Sequence, residues 1–523
     1  MAEAVGVKER TAGPDDGRGL ALTLNALVFC AGVGALATEI GAARLLAPYY
    51  GSSTIVWANV IGLILVYLSV GYWFGGRIAD RRPQRRLLGR ILLVAAVAVA
   101  VIPFVARPFL DATVRELDTA SLGAAVGSFV AALALFAVPV TLLGTVSPFA
   151  IRLALPAVEQ AGTVAGRLYG LSTIGSILGT FASAILAIPF VGTQRTLIGT
   201  SALLALAAGL LLGTRWQLLT LALAALLAVP PGTIKASPGL FYEGESQYQY
   251  IAVRERNDGS RVLELNEGVV ANSVWYPHSV LTGGEWDMFL VVPPLVPHPV
   301  RRVLVLGNAG GSTARALASL YPGIGIDGVE LDPKVTGVAR RFFGLTGVPG
   351  LHVITADARA YLRNTDKRYD LIAIDTYRQP YIPFQVTTRE FFRLVRSHLS
   401  PGGAVALNVS RVPGDRGLLQ AIAATVRAEL GQAWLWDALH FNSLLFAFDA
   451  PVTRTELVHR VGAVPTPLRP LVPLFRRQLL ATGVRGRALT DDRAPVEWLA
   501  DRAIVSYVAR GGRLENDVLP TAP

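Results

Sequence analysis

The sequence predicts an α-helical transmembrane bundle, followed by a small antiparallel β-domain and an open α/β domain. Three observations carry that prediction. Of 523 residues, 52% are hydrophobic and only 16% charged, and the mean hydropathy is +0.46, too apolar for a wholly water-soluble chain. Positions 20–231 hold few ionisable residues and most of the rest lie beyond 240, which puts a boundary between about 231 and 242. Residues 301–330 then read as strand, small-residue turn, helix and second strand: the apolar run Val303 to Leu306, the turn Gly307 to Ser312, a helical stretch to Tyr321, and an apolar run ending in Glu330. Glycines there let backbone approach a ligand at a helix N-terminus, and an acid about twenty residues on can take two ribose hydroxyls.

Residues 1–19 are polar and of mixed charge, and read as a disordered tail. Apolar segments of spanning length follow at 20–40, 54–76, 87–106, 121–155, 165–192, 195–213 and 216–231. That makes seven, or eight if Pro139 and Pro148 split the long fourth one. Gly170, Gly175 and Gly179 suit close helix packing in lipid. The loop Gly75 to Arg90 carries Arg77, Arg81, Arg82, Arg85, Arg86 and Arg90, which assigns it and the N-terminus to the cytoplasm by the positive-inside rule. Its GGRIADRR resembles the loop between the second and third helices of major facilitator transporters. Glu39 and Arg44, at the end of the first segment, read equally well as an interfacial pair and as a functional group at membrane depth.

The net charge of +11 is explained by arginines flanking apolar spans, as orientation signals and lipid-headgroup contacts, so no nucleic-acid partner is expected. The lone cysteine, Cys30, excludes a disulfide within the chain. His278, His298, His352, His398, His440 and His459 lack metal-ligand spacing, and no metal is expected.

From 240 to 300 apolar and polar residues alternate around Asn257-Asp258-Gly259 and Asn266-Glu267-Gly268, the pattern of a small antiparallel sheet. Further apolar runs at His352 to Thr355, Tyr369 to Asp375 and Ala404 to Val409, with helices between, extend the open α/β sheet. The Pro- and Arg-rich stretch 451–523 resists assignment.

The order of these motifs resembles the spermidine synthases, aminopropyltransferases on a class I methyltransferase-like Rossmann fold behind a small β-domain. With the apolar half in front, the chain resembles the bacterial membrane-fused type. The resemblance covers about 240–410 and implies the following assignments. Tyr248 and Gln249 in ESQYQ match an opening Ser-x-Tyr-Gln pattern whose Gln helps hold the donor. GNAGGS replaces GGGDGG, keeping Gly307 and Gly311 but placing Gly310 where the family has Asp. Glu330 matches the ribose-binding acid, and Asp357 with Ala358 the adenine-reading pair. Asp375 matches the acid that takes a proton from the attacking amine, while Thr388, Phe391 and Phe392 fix the register. LTDDRAPVEWL at 489–499 resembles a terminal motif of the fused type, and reads equally as an Asp-rich turn.

Departures fall on the acceptor side. Arg378 stands for the second carboxylate, and Trp286-Asp287-Met288-Phe289 aligns with a Tyr-His-Glu-Met stretch. An ammonium needs carboxylates, so the resemblance implies a kept donor site and a rebuilt acceptor site involving Tyr248, Asp287, Tyr377, Arg378 and Tyr381, suited to an acceptor other than putrescine and even one bearing phosphate or carboxylate. The reaction implied is transfer of an aminopropyl group from decarboxylated S-adenosylmethionine to an amine, Asp375 being the general base. Methyl transfer from S-adenosylmethionine, and a transporter or flippase with a nucleotide-sensing domain, are the alternatives. A multi-pass protein of the plasma membrane is expected, with the bilayer and a small amine as partners, the 301–523 domain cytoplasmic because adenosyl donors are made there, and a homodimer left open.

Overall fold

The computed structural model describes residues 14–118, 123–155, 157–229, 232–268, 270–378, 381–483, 486–512 and 518–523. Residues 1–13 of the expected tail lie outside the described residues, and its remainder begins the first helix. The chain forms two compact units, in the main residues up to Lys235 and residues from Ala236 to Pro523.

The first unit is helical: α1 Pro14–Tyr50, α2 Thr54–Arg81, α3 Arg85–Asp118, α4 Gly123–Gly144, α5 Val146–Ala154, α6 Ala161–Phe181, α7 Ile188–Val191, α8 Thr193–Leu212 and α9 Gln217–Ala225. Among the described residues, six helical stretches are long and apolar enough to cross a membrane, and the expected seventh is a shorter helix over Gln217–Ala228. The fourth stretch is interrupted at Thr145, where Pro148 cannot donate to the Gly144 carbonyl four residues before it. Pro139 stays inside α4. In the fifth, Pro189 is preceded by the π-turn Ala182–Ala187, a local widening that accommodates the proline without ending the span.

Small residues set the α1–α6 distance. A Cβ on Gly175 would lie 2.2 Å from the Phe29 carbonyl oxygen, and one on Gly179 2.4 Å from that of Val33, whereas Gly170 faces open space. Glu39 and Arg44 both lie within α1. The short seventh segment runs back along the bundle. Gly89, early in α3, packs on Leu211 and Leu212 at the end of α8, while the Tyr49 hydroxyl at the end of α1 donates to the Ile234 carbonyl at 2.7 Å. Within this unit the arginine loop and Lys235 are therefore at opposite ends, and the expectation that both share one side does not follow from the path of the chain.

The second unit begins with a four-stranded antiparallel meander, β1 Leu240–Glu245, β2 Tyr250–Glu255, β3 Arg261–Leu265 and β4 Ser273–Trp275. Both expected turns take positive φ, at Gly259, Asn266 and Gly268. The sheet closes at Trp275, well before residue 300, and 3₁₀ turns carry Met288 to Val292 into the core of the larger sheet. Ile251, Val253 and Leu263 of the meander bury against Val335, Val338 and Phe342 of a helix in the same unit, so it has no separate core.

The larger sheet comprises β5 Arg302–Leu306, β6 Gly325–Glu330, β7 Leu351–Thr355, β8 Tyr369–Ile374, β9 Leu399–Ser410, β10 Trp434–Trp436, β11 Asn442–Phe448 and β12 Leu479–Ala481, in the order β12-β10-β11-β9-β8-β5-β6-β7. Strands β5 to β9 are parallel to their neighbours, and β11, β10 and β12 add antiparallel. Helices α10 Ser312–Leu320, α11 Pro333–Phe342, α12 Ala358–Asn364, α13 Arg389–Ser397 and α14 Gly417–Leu430 connect them. Parallel strands covered on both faces must be apolar throughout, and Val303 to Leu306 and Leu371 to Ile374 are fully buried. The chain steps outward from β5 to β7, then returns to place β8 on the other flank of β5. That reversal opens a crevice at the carboxyl ends of β5 and β8, where open α/β sheets bind ligands.

Candidate active site

Two turns meet in that crevice. Gly307 follows β5 with φ 86°, and a Cβ there would come within 2.3 Å of the Asp375 carbonyl oxygen, so only glycine lets the turns approach this closely. The amides of Gly307 and Asn308 both donate to the Val329 carbonyl at 3.0 Å. Gly311 (φ 80°) caps α10, whose N-terminus faces the turn. At Gly310 the amide donates to Ser273 Oγ at 2.8 Å, and a Cβ would meet the Ser273 Cβ at 2.6 Å. The Ser273 side chain thus fills the space that an aspartate at 310 would need.

Glu330 ends β6 with its carboxylate fixed by two backbone donors, Ala309 N–H at 2.9 Å and Asp332 N–H at 3.0 Å. Burial raises its pKa, and those two hydrogen bonds act against the rise. Asp332 also accepts from Ser246 at 2.5 Å and from Gln249 Nε2 at 3.4 Å, tying the meander to the Glu330 turn; Tyr248 beside it is 37% exposed. The Ala356 amide donates to the Glu330 carbonyl at 3.0 Å, which sets Asp357 and Ala358 next to that acid. Asp357 caps α12 through the amides of Arg359 and Ala360. Arg359 in turn makes a bidentate pair with Asp491 at 2.7 and 2.6 Å, and Asp491 accepts from Thr388 at 2.7 Å. The 489–499 stretch is therefore a turn at Thr490 to Arg493 that ties α12 to α13 and leads into a helix from Val496.

Asp375 lies just past β8. Its Oδ1 accepts from Asn408 Nδ2 at 3.0 Å, and Asn408 accepts from Asn442 at 3.0 Å. Burial pushes its carboxyl up to about 6, with the Asn408 hydrogen bond opposing. A second acid, unnoticed in the sequence, shares its surroundings: Glu285 is pushed up to about 8 by burial first, then by the charges of Asp375 and Asp287. Both residues keep some exposed surface while being largely enclosed by protein. Tyr377 joins them, its hydroxyl donating to the Asn408 carbonyl at 3.1 Å and accepting from the Ser410 amide at 2.7 Å; burial raises its pKa and it stays neutral.

Two of the expected acceptor residues are engaged in other contacts. Asp287 is fully buried, its oxygens taken by Thr282, Gly283 and Thr521, and it ties a loop to the C-terminal segment instead of facing the crevice. The Tyr381 hydroxyl bonds the Asp501 carboxylate, and its ring belongs to the core. Arg378 is exposed, its backbone bridged to that of Tyr381 and its Nε donating to Ser52 Oγ at 3.1 Å. Glu285, in the same GGEWDM stretch that supplied Asp287 as the candidate, is the acid there on which the Asp375 charge acts. No group of three potential metal ligands occurs among the described residues.

Two predictions arise here. Both acids titrate higher in the folded state than in the unfolded chain, so between about pH 4 and pH 8 the folded state binds more protons and stability falls as pH rises. Glu285→Gln removes its share of that slope; taking about 1 kcal/mol, the unfolding midpoint of the full-length protein at pH 8 should rise by about 2–4 °C, with little change at pH 5. An unchanged difference between pH 5 and pH 8 would show that Glu285 is not held in its protonated form. Asn408→Leu removes the hydrogen bond that lowers the Asp375 pKa, so the acid limb of the pH–rate profile should move above pH 6; a limb that stays or moves down contradicts the assigned contact.

Comparison with known proteins finds a domain match in this part of the chain. Residues 287–429 match the spermine/spermidine synthase domain. A protein of Bifidobacterium longum named "Probable polyamine aminopropyl transferase" is 31% identical over 291 residues, covering 52% of this chain and 64% of its own length. A polyamine aminopropyltransferase of Vibrio vulnificus is 32% identical over 183 residues, covering 32% of this chain and 58% of its own. Among solved structures, a probable spermidine synthase from Corynebacterium glutamicum aligns with TM-score 0.38 at 18% identity, over 55% of this chain and 99% of that one. The chain spans less than two thirds of the length of these curated relatives. The C-terminal part of the chain, with Asp375, Glu330 and the glycine turn at its centre, thus carries a spermine/spermidine synthase domain.

Proposed function

We propose that this chain is a membrane-anchored transferase that moves an aminopropyl group from decarboxylated S-adenosylmethionine to an amine. The observation that carries this reading is the pair of carboxyls, Asp375 and Glu285, at the reversal point of the sheet beside the glycine turn. The donor supplies a sulfonium whose propyl carbon is open to displacement. Attack by an amine forms the new C–N bond and breaks the C–S bond, leaving methylthioadenosine and one proton. Asp375, within a crevice that raises its pKa to about 6, is matched to take that proton near neutral pH. Asn408 holds it in orientation.

The residues present fit the donor. Glu330, presented by two amides, suits the ribose diol; Asp357 and Ala358 lie alongside for the adenine; Gln249 reaches the same turn through Asp332. The side-chain amide of Asn308 and the hydroxyls of Thr313 and Thr376 are buried with no hydrogen-bond partner among the described residues. Such orphans are costly, and they cluster in the turns that would face a ligand. Glu285 supports the decarboxylated donor over the intact one, because a carboxylate on the donor tail would meet two acids, whereas an ammonium on either donor or acceptor favours their ionised forms. For the same electrostatic reason the pair of acids favours a cationic amine acceptor over an anionic one.

Membrane anchoring rests on the six long apolar stretches and on the surface of the helical unit. Leu65, Trp73, Phe181, Leu186 and Phe190 are all more than half exposed, a density that water does not tolerate and lipid does. Calorimetry on full-length protein in detergent tests the donor assignment. Binding of decarboxylated S-adenosylmethionine and methylthioadenosine, with S-adenosylmethionine much weaker, supports it; preference for S-adenosylmethionine transfers the reading to methyl transfer, and no binding of any of the three removes the transferase.

A further inference from the structure

Within the helical unit, a cavity of about 570 Å³ opens between the last third of α3, the start of α8 and the segment after α9. That volume falls in the range of ligand sites. Its polar wall consists of Arg107, Asp111, Gln194 and Arg195, and Phe104 and Leu226 are among its apolar lining. Arg107 reaches Asp111 only at 3.9 Å, beyond hydrogen-bond distance. The buried Nε of Arg195 has no hydrogen-bond partner among the described residues.

Arg195 is the third residue of α8. At that end of a helix the first-turn amides are unsatisfied within the helix and its dipole is positive, so a cation there is the unfavourable choice for helix stability. The wall thus carries two guanidinium groups against one carboxylate, beside a positive helix end, among apolar side chains that strengthen any charge interaction. An anion corrects that imbalance, and guanidinium forks match planar or tetrahedral oxyanions in bidentate fashion.

We propose that this cavity binds the phosphate group of an amphipathic molecule, the two arginines taking the phosphate oxygens while Phe104 and Leu226 contact its apolar part. The site is separate from the transferase crevice and does not depend on that function. A free phosphate compound and a lipid headgroup present the same chemistry, and the test separates them.

Full-length protein in a neutral detergent is titrated calorimetrically with inorganic phosphate, with short-chain phosphatidylglycerol, and with short-chain phosphatidylcholine as the zwitterionic control. Saturable binding of phosphatidylglycerol alone assigns a lipid, and binding of inorganic phosphate as well assigns a free anion site. In either case Arg195→Gln and Arg107→Gln should each weaken binding by about tenfold or more, the loss of one charge-assisted contact, and Arg195→Lys should weaken it less. Should a glutamine variant fail to fold, Asp111→Asn, which removes the opposing charge, is expected to tighten binding. The proposal is overturned if neither anionic probe binds, if phosphatidylcholine binds equally well, if the glutamine variants bind as the wild type does, or if Asp111→Asn leaves binding unchanged or weaker.

Discussion

Asp375→Asn is expected to lower kcat for aminopropyl transfer by about 10³-fold, within the range that one positioned general base contributes, while leaving methylthioadenosine affinity within about twofold of wild type. The substitution keeps the shape and the Asn408 neighbour but cannot take up the proton that the proposed reaction releases. In the wild type the rate should fall as pH drops through about 6, because protonated Asp375 is no longer a base. Burial and the Asp375 charge push Glu285 up to about 8, so a profile between these values belongs to the pair and not to either residue alone. Removing the charge of Asp375 also removes one of the causes that raise Glu285, and the Glu285 carboxyl should titrate at lower pH in the variant. A variant that turns over at the wild-type rate would take Asp375 out of the chemistry.

Glu330→Gln should weaken methylthioadenosine binding by about 10²-fold, the loss of charge assistance on two hydrogen bonds to a diol. Its carboxylate has no freedom to compensate: Ala309 and Asp332 fix one oxygen each, and the glycine turn it braces leads into α10. Glutamine can accept only through one oxygen, so one of these amides also loses its partner, and a modest drop in unfolding temperature without ligand should accompany the loss. Calorimetry separates the two effects. Wild-type affinity in a folded variant would mean that the ribose is held elsewhere.

Candidate site residues that belong to one local stretch of chain can be proposed from the sequence. The glycine turn, Glu330, Asp357 and Asp375 each terminate or follow a parallel strand, and strand ends announce themselves as apolar runs stopping at a small or acidic residue. Asn408 and Asn442 are not legible in this way, because only the pairing of β9 with β8 and β11 brings them to Asp375. Glu285 and Asp287 are two residues apart in one apolar stretch, and composition does not say which side chain enters the crevice; Asp287 is consumed by loop amides and hydroxyls. Two isolated acids between glycines and aromatics are the available signal. In the helical unit hydropathy locates the segments but not their continuity, because Pro148 interrupts a helix while Pro189 is absorbed by a π-turn.

The most direct measurement supplies full-length protein with decarboxylated S-adenosylmethionine and S-adenosylmethionine together, plus a panel of di- and polyamines, and identifies the adenosyl product by mass. Amine-dependent release of methylthioadenosine, abolished in Asp375→Asn, is the predicted result. Release of S-adenosylhomocysteine with methylated amine, or of neither product with any amine, would contradict aminopropyl transfer by this chain.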